Sequence, residues 1–128
     1  MDNNGGKSAL GLDANVAAGL ANIPFICLVG IIFSIIILVT DKTNKFARFN
    51  AFQSILLHVL GIVLYVVGII IAVAGMAANS SIIALFGFLI YLCIFIVFIA
   101  LVVCMIMAFM GKTFKIPVIG GMADNWSN

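Results

Sequence analysis

The chain has 128 residues, 66% of them hydrophobic and 8% charged, with a net charge of +2 and a mean hydropathy of +1.38. Soluble domains use roughly 45–50% apolar and about 25% charged residues. Residues 55–111 contain no Asp, Glu, Lys or Arg with which to draw a polar shell, so a soluble globular fold is excluded and most of this half must face lipid.

The charge is small and the cations flank apolar runs, which argues against a nucleic-acid partner and for the edges of a membrane. At the N-terminus Lys7 is offset by Asp2 and Asp13, and the apolar stretch that follows is too long for a signal-peptide core. No Arg- and Ser-rich, acid-poor leader is visible either, so the expected home is a bacterial cytoplasmic (inner) membrane.

Three apolar runs follow in chain order: Ile23 to Thr40, extended forward by "NVAAGLAN"; Ile55 to Ala78; and Ile82 to Met110. At about 1.5 Å per residue they correspond to roughly 27, 36 and 43 Å, against a hydrocarbon core of about 30 Å. The third run has no turn chemistry inside it and reads as one helix. The expected fold is therefore an all-α integral membrane protein, a single membrane domain over 1–128. Its three transmembrane helices lie at about 14–40, 47–78 and 82–110, with a tail over 111–128. Pro24 should kink the first helix or mark a boundary, and "NSS" at Asn79–Ser81 should join the other two as an antiparallel hairpin. With three spans, Lys42, Lys45, Arg48, Lys112 and Lys115 share one side and Lys7 takes the other, which predicts a multi-pass protein with a cytoplasmic first loop and C-terminus.

That first loop, "DKTNKFARFNAFQS", combines cations with phenylalanines, the composition of an interface belt. Residue by residue, Lys45 and Arg48 read as interface anchors. Taken together, Arg48, Asn50 and Gln53 read as a polar cluster for a partner or a lipid headgroup. In the tail, Gly111 can cap the third helix, while Pro117 and Gly120-Gly121 prevent another long one. Lys112, Lys115 and Trp126 are interface residues that turn the tail back along the same surface. The expectation is a cytoplasmic platform of Lys45, Phe46, Arg48, Phe49, Asn50, Gln53, Lys112, Lys115, Asp124 and Trp126, with Asp124 a partner for Arg48 or Lys45.

"NKFARFNAFQS" is similar to an "NKFVRFHAFQS" type of motif in the Tic-twenty-like family of small membrane proteins, which includes a bacterial branch of unknown function and resembles the magnetosome protein MamF. "GLDANVAAGLANI" and "GKTFKIPVIGGMAD" match the family's opening and closing pattern, so the resemblance covers nearly the whole chain. It implies a three- or four-helix membrane protein, whose namesake branch takes part in protein import across the chloroplast inner envelope. Asn50 stands where the family commonly has His, so a metal, haem or proton-relay role resting on that position is not expected here.

The second helix carries a pattern independent of the resemblance. Ser54, His58, Gly61, Tyr65, Gly68, Ala72, Gly75 and Asn79 alternate spacings of four and three, a heptad seam holding every polar residue and glycine of that stretch. In lipid, helices associate through close approach at small residues and through hydrogen bonds, so this seam is the expected packing face. Ala100, Cys104, Ala108 and Gly111 offer a partner row on the third helix, and Asn15, Gly19, Asn22, Gly30 and Ser34 one on the first.

His58 is the sole histidine. Haem or chlorophyll ligation is its sharper reading, and a neutral imidazole hydrogen-bonded across the seam its plainer and preferred one, since no carboxylate lies within the spans to relay a proton. No cofactor is therefore expected. Cys27, Cys93 and Cys104 lie in apolar runs without metal-ligand spacing and read as packing residues. Tyr65 and Tyr91 have no evident acid-base partner, and no nucleophile triad, zinc motif or phosphate loop occurs. No catalytic or metal residues are assigned and enzyme activity is not expected. The expected function is an accessory or scaffold subunit of a larger energy-converting or translocating membrane complex, its partners being lipids and other membrane subunits or copies of itself. The alternative is an oligomeric pore or carrier; three helices with one His supply too few polar groups for a monomeric pore.

Overall fold

The computed structural model describes residues 6–24 and 28–128. Five α-helices follow a short 3-10 turn at Ala9–Gly11: α1 (Ala14–Ala21), α2 (Val29–Thr40), α3 (Lys45–Ala78), α4 (Ser81–Phe109) and α5 (Ile119–Ser127). Two of them, α3 and α4, are long and apolar enough to cross a membrane. Both begin at side-chain caps: the Asn44 carboxamide accepts from the Ala47 N–H and the Ser80 hydroxyl from the Ile83 N–H. Between them Asn79 takes a left-handed conformation at φ 48°, which Asn tolerates better than most residues, and α4 runs back antiparallel against α3. A Cβ on Gly75 would stand 3.2 Å from the Ala84 nitrogen, so the backbones touch there. With 34 and 29 residues, the arms measure about 51 and 44 Å. Both exceed the hydrocarbon core, so the hairpin tilts or its open end stands in the headgroup layer.

The first expected span takes a different form. The described residues of this stretch form two short helices, and α2, at 12 residues or about 18 Å, is too short to cross. The break has a local cause. Pro24 has no N–H to give the Leu20 carbonyl in a continued α1, and the Ala21 carbonyl at the helix end accepts from the hydroxyls of Ser34 and Ser54. From there α2 returns along α3. A Cβ on Gly30 would meet the Ile23 and Ala21 carbonyls and come 3.0 Å from His58 Cε1, while at the other end of α2 Arg48 Nη1 donates to the Asp41 carbonyl at 2.9 Å.

The segment before α1 lies beside the segment after α2. Ser8 Oγ donates to Asp41 Oδ2 at 2.6 Å and Asn44 Nδ2 to the Lys7 carbonyl at 3.4 Å. Residues 14–40 therefore enter and return at one end of the molecule, where a single crossing helix over 14–40 had been the expectation. Lys7 likewise stands beside the first loop and not opposite it. Counting lengths and cations could not reveal this, because the reversal is made by contacts with α3.

Around the open end of the hairpin, α1, α2 and α5 form a collar. Ala17 and Ala21 of α1, Ile37 of α2, and Ala47 and Ala51 of α3 close one core cluster; Ala14 and Ala18 meet Phe46 and Ala108 in a second. Gly19 sits under the Phe109 ring with no room for a Cβ, which lets α1 lie against α4. A third cluster, Leu57, Val97, Leu101 and Cys104, joins the two long helices where the collar ends. Beyond it the two arms of the hairpin continue with no other helix beside them among the described residues.

Candidate functional site

The tail is held by one side chain. Gln53, fully buried on α3, donates from Nε2 to the Phe114 carbonyl at 2.8 Å and accepts at Oε1 from the Ile116 N–H at 3.1 Å. Its carboxamide thereby serves both polarities of an otherwise irregular backbone, and Nε2 also reaches Cys104 Sγ on α4 at 3.3 Å. A Cβ on Gly120 would come within 2.8 Å of Gln53 Oε1, so glycine there lets α5 start close against α3.

Further contacts fix α5. Asp124 Oδ2 lies 2.8 Å from Lys115 Nζ and Oδ1 lies 3.4 Å from Lys45 Nζ. The Lys115 hydrogen bond, helped by the charges of Lys115 and Lys45, holds the Asp124 carboxyl below its ordinary range. Trp126 meets Phe52 edge-to-face with ring centroids 5.9 Å apart, and the Arg48 guanidinium stands 5.6 Å over the same Phe52 ring. Asp41 organises the turn between α2 and α3. Burial opposes its ionisation, but hydrogen bonds from the Asn44 N–H, the Ser8 hydroxyl and Thr43 outweigh that and keep its carboxyl below the usual range.

Beneath this surface lies a buried polar network. Asn22 Nδ2 donates to the Ala18 carbonyl at 2.9 Å and to Asn50 Oδ1 at 3.0 Å, and Asn50 Nδ2 donates to the Phe46 carbonyl at 3.0 Å. His58 Nδ1 lies 2.8 Å from the Ser54 carbonyl, and its ring also bonds the Ile23 backbone. Ser34 back-bonds to Gly30 at 2.7 Å. The network ties the reversal of α1 and α2 to α3.

The structure sorts the platform residues into two layers. Lys45, Lys112, Lys115 and Trp126 are exposed, while Arg48 and Asp124 are half-buried. Phe46, Phe49, Asn50 and Gln53 are interior, a correction to their expected place on the surface. The reason is the collar: α1, α2 and α5 cover the faces of α3 that a bare membrane helix would have shown to headgroups. Of the heptad seam, Ser54, His58, Gly61, Gly68 and Gly75 are buried; Ala72 is half-buried, and Tyr65, at 54% exposure, and Asn79 face outward. The seam thus serves the collar at its near end and α4 at its far end. Tyr65 departs because α4 alone does not cover that flank. Phe52 was missed in the sequence although it lies four residues after Arg48, the spacing that brings a guanidinium over a ring on a helix.

Two comparisons bear on this arrangement. The chain is 36% identical over 126 residues to a UPF0132 membrane protein of Methanocaldococcus jannaschii, covering 95% of this chain and 96% of that one. No solved structure matches it. Residues 13–123 match the magnetosome magnetite crystal formation protein family. These relationships uphold the MamF-like side of the resemblance and lend nothing to the Tic-twenty name or to a part in protein import. The matched span runs from the cap of α1 into α5, taking in hairpin, collar and tail together, and this membrane protein belongs to the magnetosome magnetite crystal formation protein family.

Proposed function

We propose that the protein is a non-enzymatic membrane scaffold: the α3–α4 hairpin anchors it, and the collar presents one structured polar face to a protein partner at the membrane surface. The observation that carries this reading is the docking of the tail. Gln53, Asp124 and Trp126 hold residues 113–127 on α3, which makes a defined surface of what would otherwise be two separate lipid-anchored segments. Lys7, Lys42, Lys45, Arg48, Lys112 and Lys115 all belong to this end, and by cation bias it faces the cytoplasm.

The buried polar groups favour a scaffold over a pore, because Asn22, Asn50, Ser54 and His58 are bonded to backbone and to one another at no more than 2% exposure. A part in crystal formation would be exerted by organising other proteins at a membrane. The described carboxylates are already engaged, Asp13 by Lys7, Asp41 by Ser8 and Thr43, and Asp124 by Lys45 and Lys115. Direct contact with mineral would have to break those bonds.

Purification from native membranes in mild detergent tests the reading by comparing the full chain with one ending at Lys112. Associated proteins should come with the full chain and be lost from the shortened one, while both remain in the membrane. Equal recovery, or ion flux through the purified protein in liposomes, would overturn the scaffold in favour of a hairpin-based assembly or a pore.

A further inference from the structure

The two ends of the molecule differ in width. From Lys45 to about His58, α3 is accompanied by α4 and by all three collar helices: Arg48 touches the end of α2, His58 faces Gly30 at its beginning, Asn50 and Ser54 hold the end of α1, and Phe52 and Gln53 hold α5 and the irregular segment before it. Past the Leu57–Leu101 cluster, only the two arms of the hairpin continue, with nothing beside them among the described residues. A helix with its side chains is about 10–12 Å across, and the near end holds five helices in section where the far end holds two.

The collar is also dressed for lipid. Ile32, Ile35 and Val39 of α2 are 51–66% exposed, and Val16, Met122 and Trp126 turn further apolar surface outward from α1 and α5. Uncharged side chains of this kind on short helices, flanked by lysines, belong at the boundary between headgroups and acyl chains. The collar helices are too short to reach the opposite leaflet. They therefore take up area on one side of the bilayer and none on the other.

We infer that this protein is a curvature-generating wedge that favours membrane convex on the face carrying the collar. Inserting volume at the headgroup boundary of one leaflet expands that leaflet relative to its partner, and the bilayer relaxes by bending away from it. The same asymmetry makes the protein accumulate where the membrane is already bent in that sense. This action needs no protein partner, so it stands apart from the scaffold reading and does not fail with it.

The test uses the full chain in giant vesicles of phosphatidylcholine with a minor fraction of phosphatidylserine, from which narrow tubes are pulled. A fluorophore on Thr43→Cys, in a chain without its native cysteines, reports which way each molecule faces through quenching from outside. Molecules with the collar on the outer leaflet should be enriched severalfold in the tube over the parent vesicle, and molecules facing inward should be depleted from it. Equal density in tube and vesicle, or enrichment irrespective of orientation, overturns the wedge. A chain ending at Lys112, which lacks α5, should show a smaller enrichment; an unchanged one would exclude α5 from the device and leave it to α1 and α2. Because the two opposed orientations of one labelled chain are compared in the same vesicle, each serves as the control for the other.

Discussion

At Gln53 a single carboxamide stands in for a stretch of secondary structure. The segment between α4 and α5 has no helix of its own to satisfy Phe114 and Ile116, and both are served from a fully buried side chain. Gln53→Leu removes both bonds and leaves two part-buried backbone groups without their partner, at a cost of about 1 kcal/mol or more. Residues 112–118 should then become cleavable by protease in nanodiscs, with the rest of the chain intact; unchanged protection would show that α5 is held without this residue. Asp124 contributes on the exposed side of the same contact. Because its folded carboxyl lies below the ordinary 3.8, its share of tail docking is fully present above that value and is lost as the pH falls through the lower folded one. Trp126 fluorescence should report release in that acid range in the wild type, and Asp124→Asn should show the weaker docking at every pH.

Among the elements, glycine positions separate packing from spacing. Gly30 faces two carbonyls and the His58 ring, so Gly30→Ala must push α2 away from α1 and α3, at about 1–3 kcal/mol of stability. Gly121, in α5, has nothing within 4 Å, and Gly121→Ala should raise stability by up to ~1 kcal/mol through helix propensity alone. Thermal unfolding in one detergent compares them; a Gly30→Ala protein as stable as the parent would mean that the α1–α2 reversal is looser than its contacts imply. These elements also show what could be read beforehand. The α3–α4 hairpin was legible because two long apolar runs flank "NSS", and a run of that length has one physical outcome in lipid. The seven-residue spacing of Gly61, Gly68 and Gly75 likewise marked a buried face. Pro24 announced a break, but a break does not say whether the chain continues or turns back. That direction is set by Gly30 against His58 and by Ser34 and Ser54 at one carbonyl, contacts that leave no periodic trace. The polar cluster around Arg48, Asn50 and Gln53 was visible as chemistry, and its division into inside and outside followed only from the helices that cover it.

For the whole molecule, the arrangement predicts that the N-terminus, the first loop and the tail share a side. Cysteines introduced at Lys7, Thr43 and Asn128 should label from one face of an intact membrane, and one at Ser81 from the other; labelling of Lys7 opposite Thr43 would restore three crossings. The reversal has a further consequence in time. Synthesis delivers α1 and α2 before Asn50 and Ser54 exist, so the Ala21 carbonyl and the Asn22 amide leave the ribosome without the partners that later bury them. The contacts that fix the early pair are completed only once α3 has been made. Ile116 and Asp124 close onto Gln53 and Lys45 from more than sixty residues downstream, after both arms of the hairpin have been made. A nascent chain interrupted after α4 would already be anchored but left open at its working face. That chain would show the Gln53 carboxamide and the Lys45 ammonium without the backbone and the carboxylate they bind in the full fold.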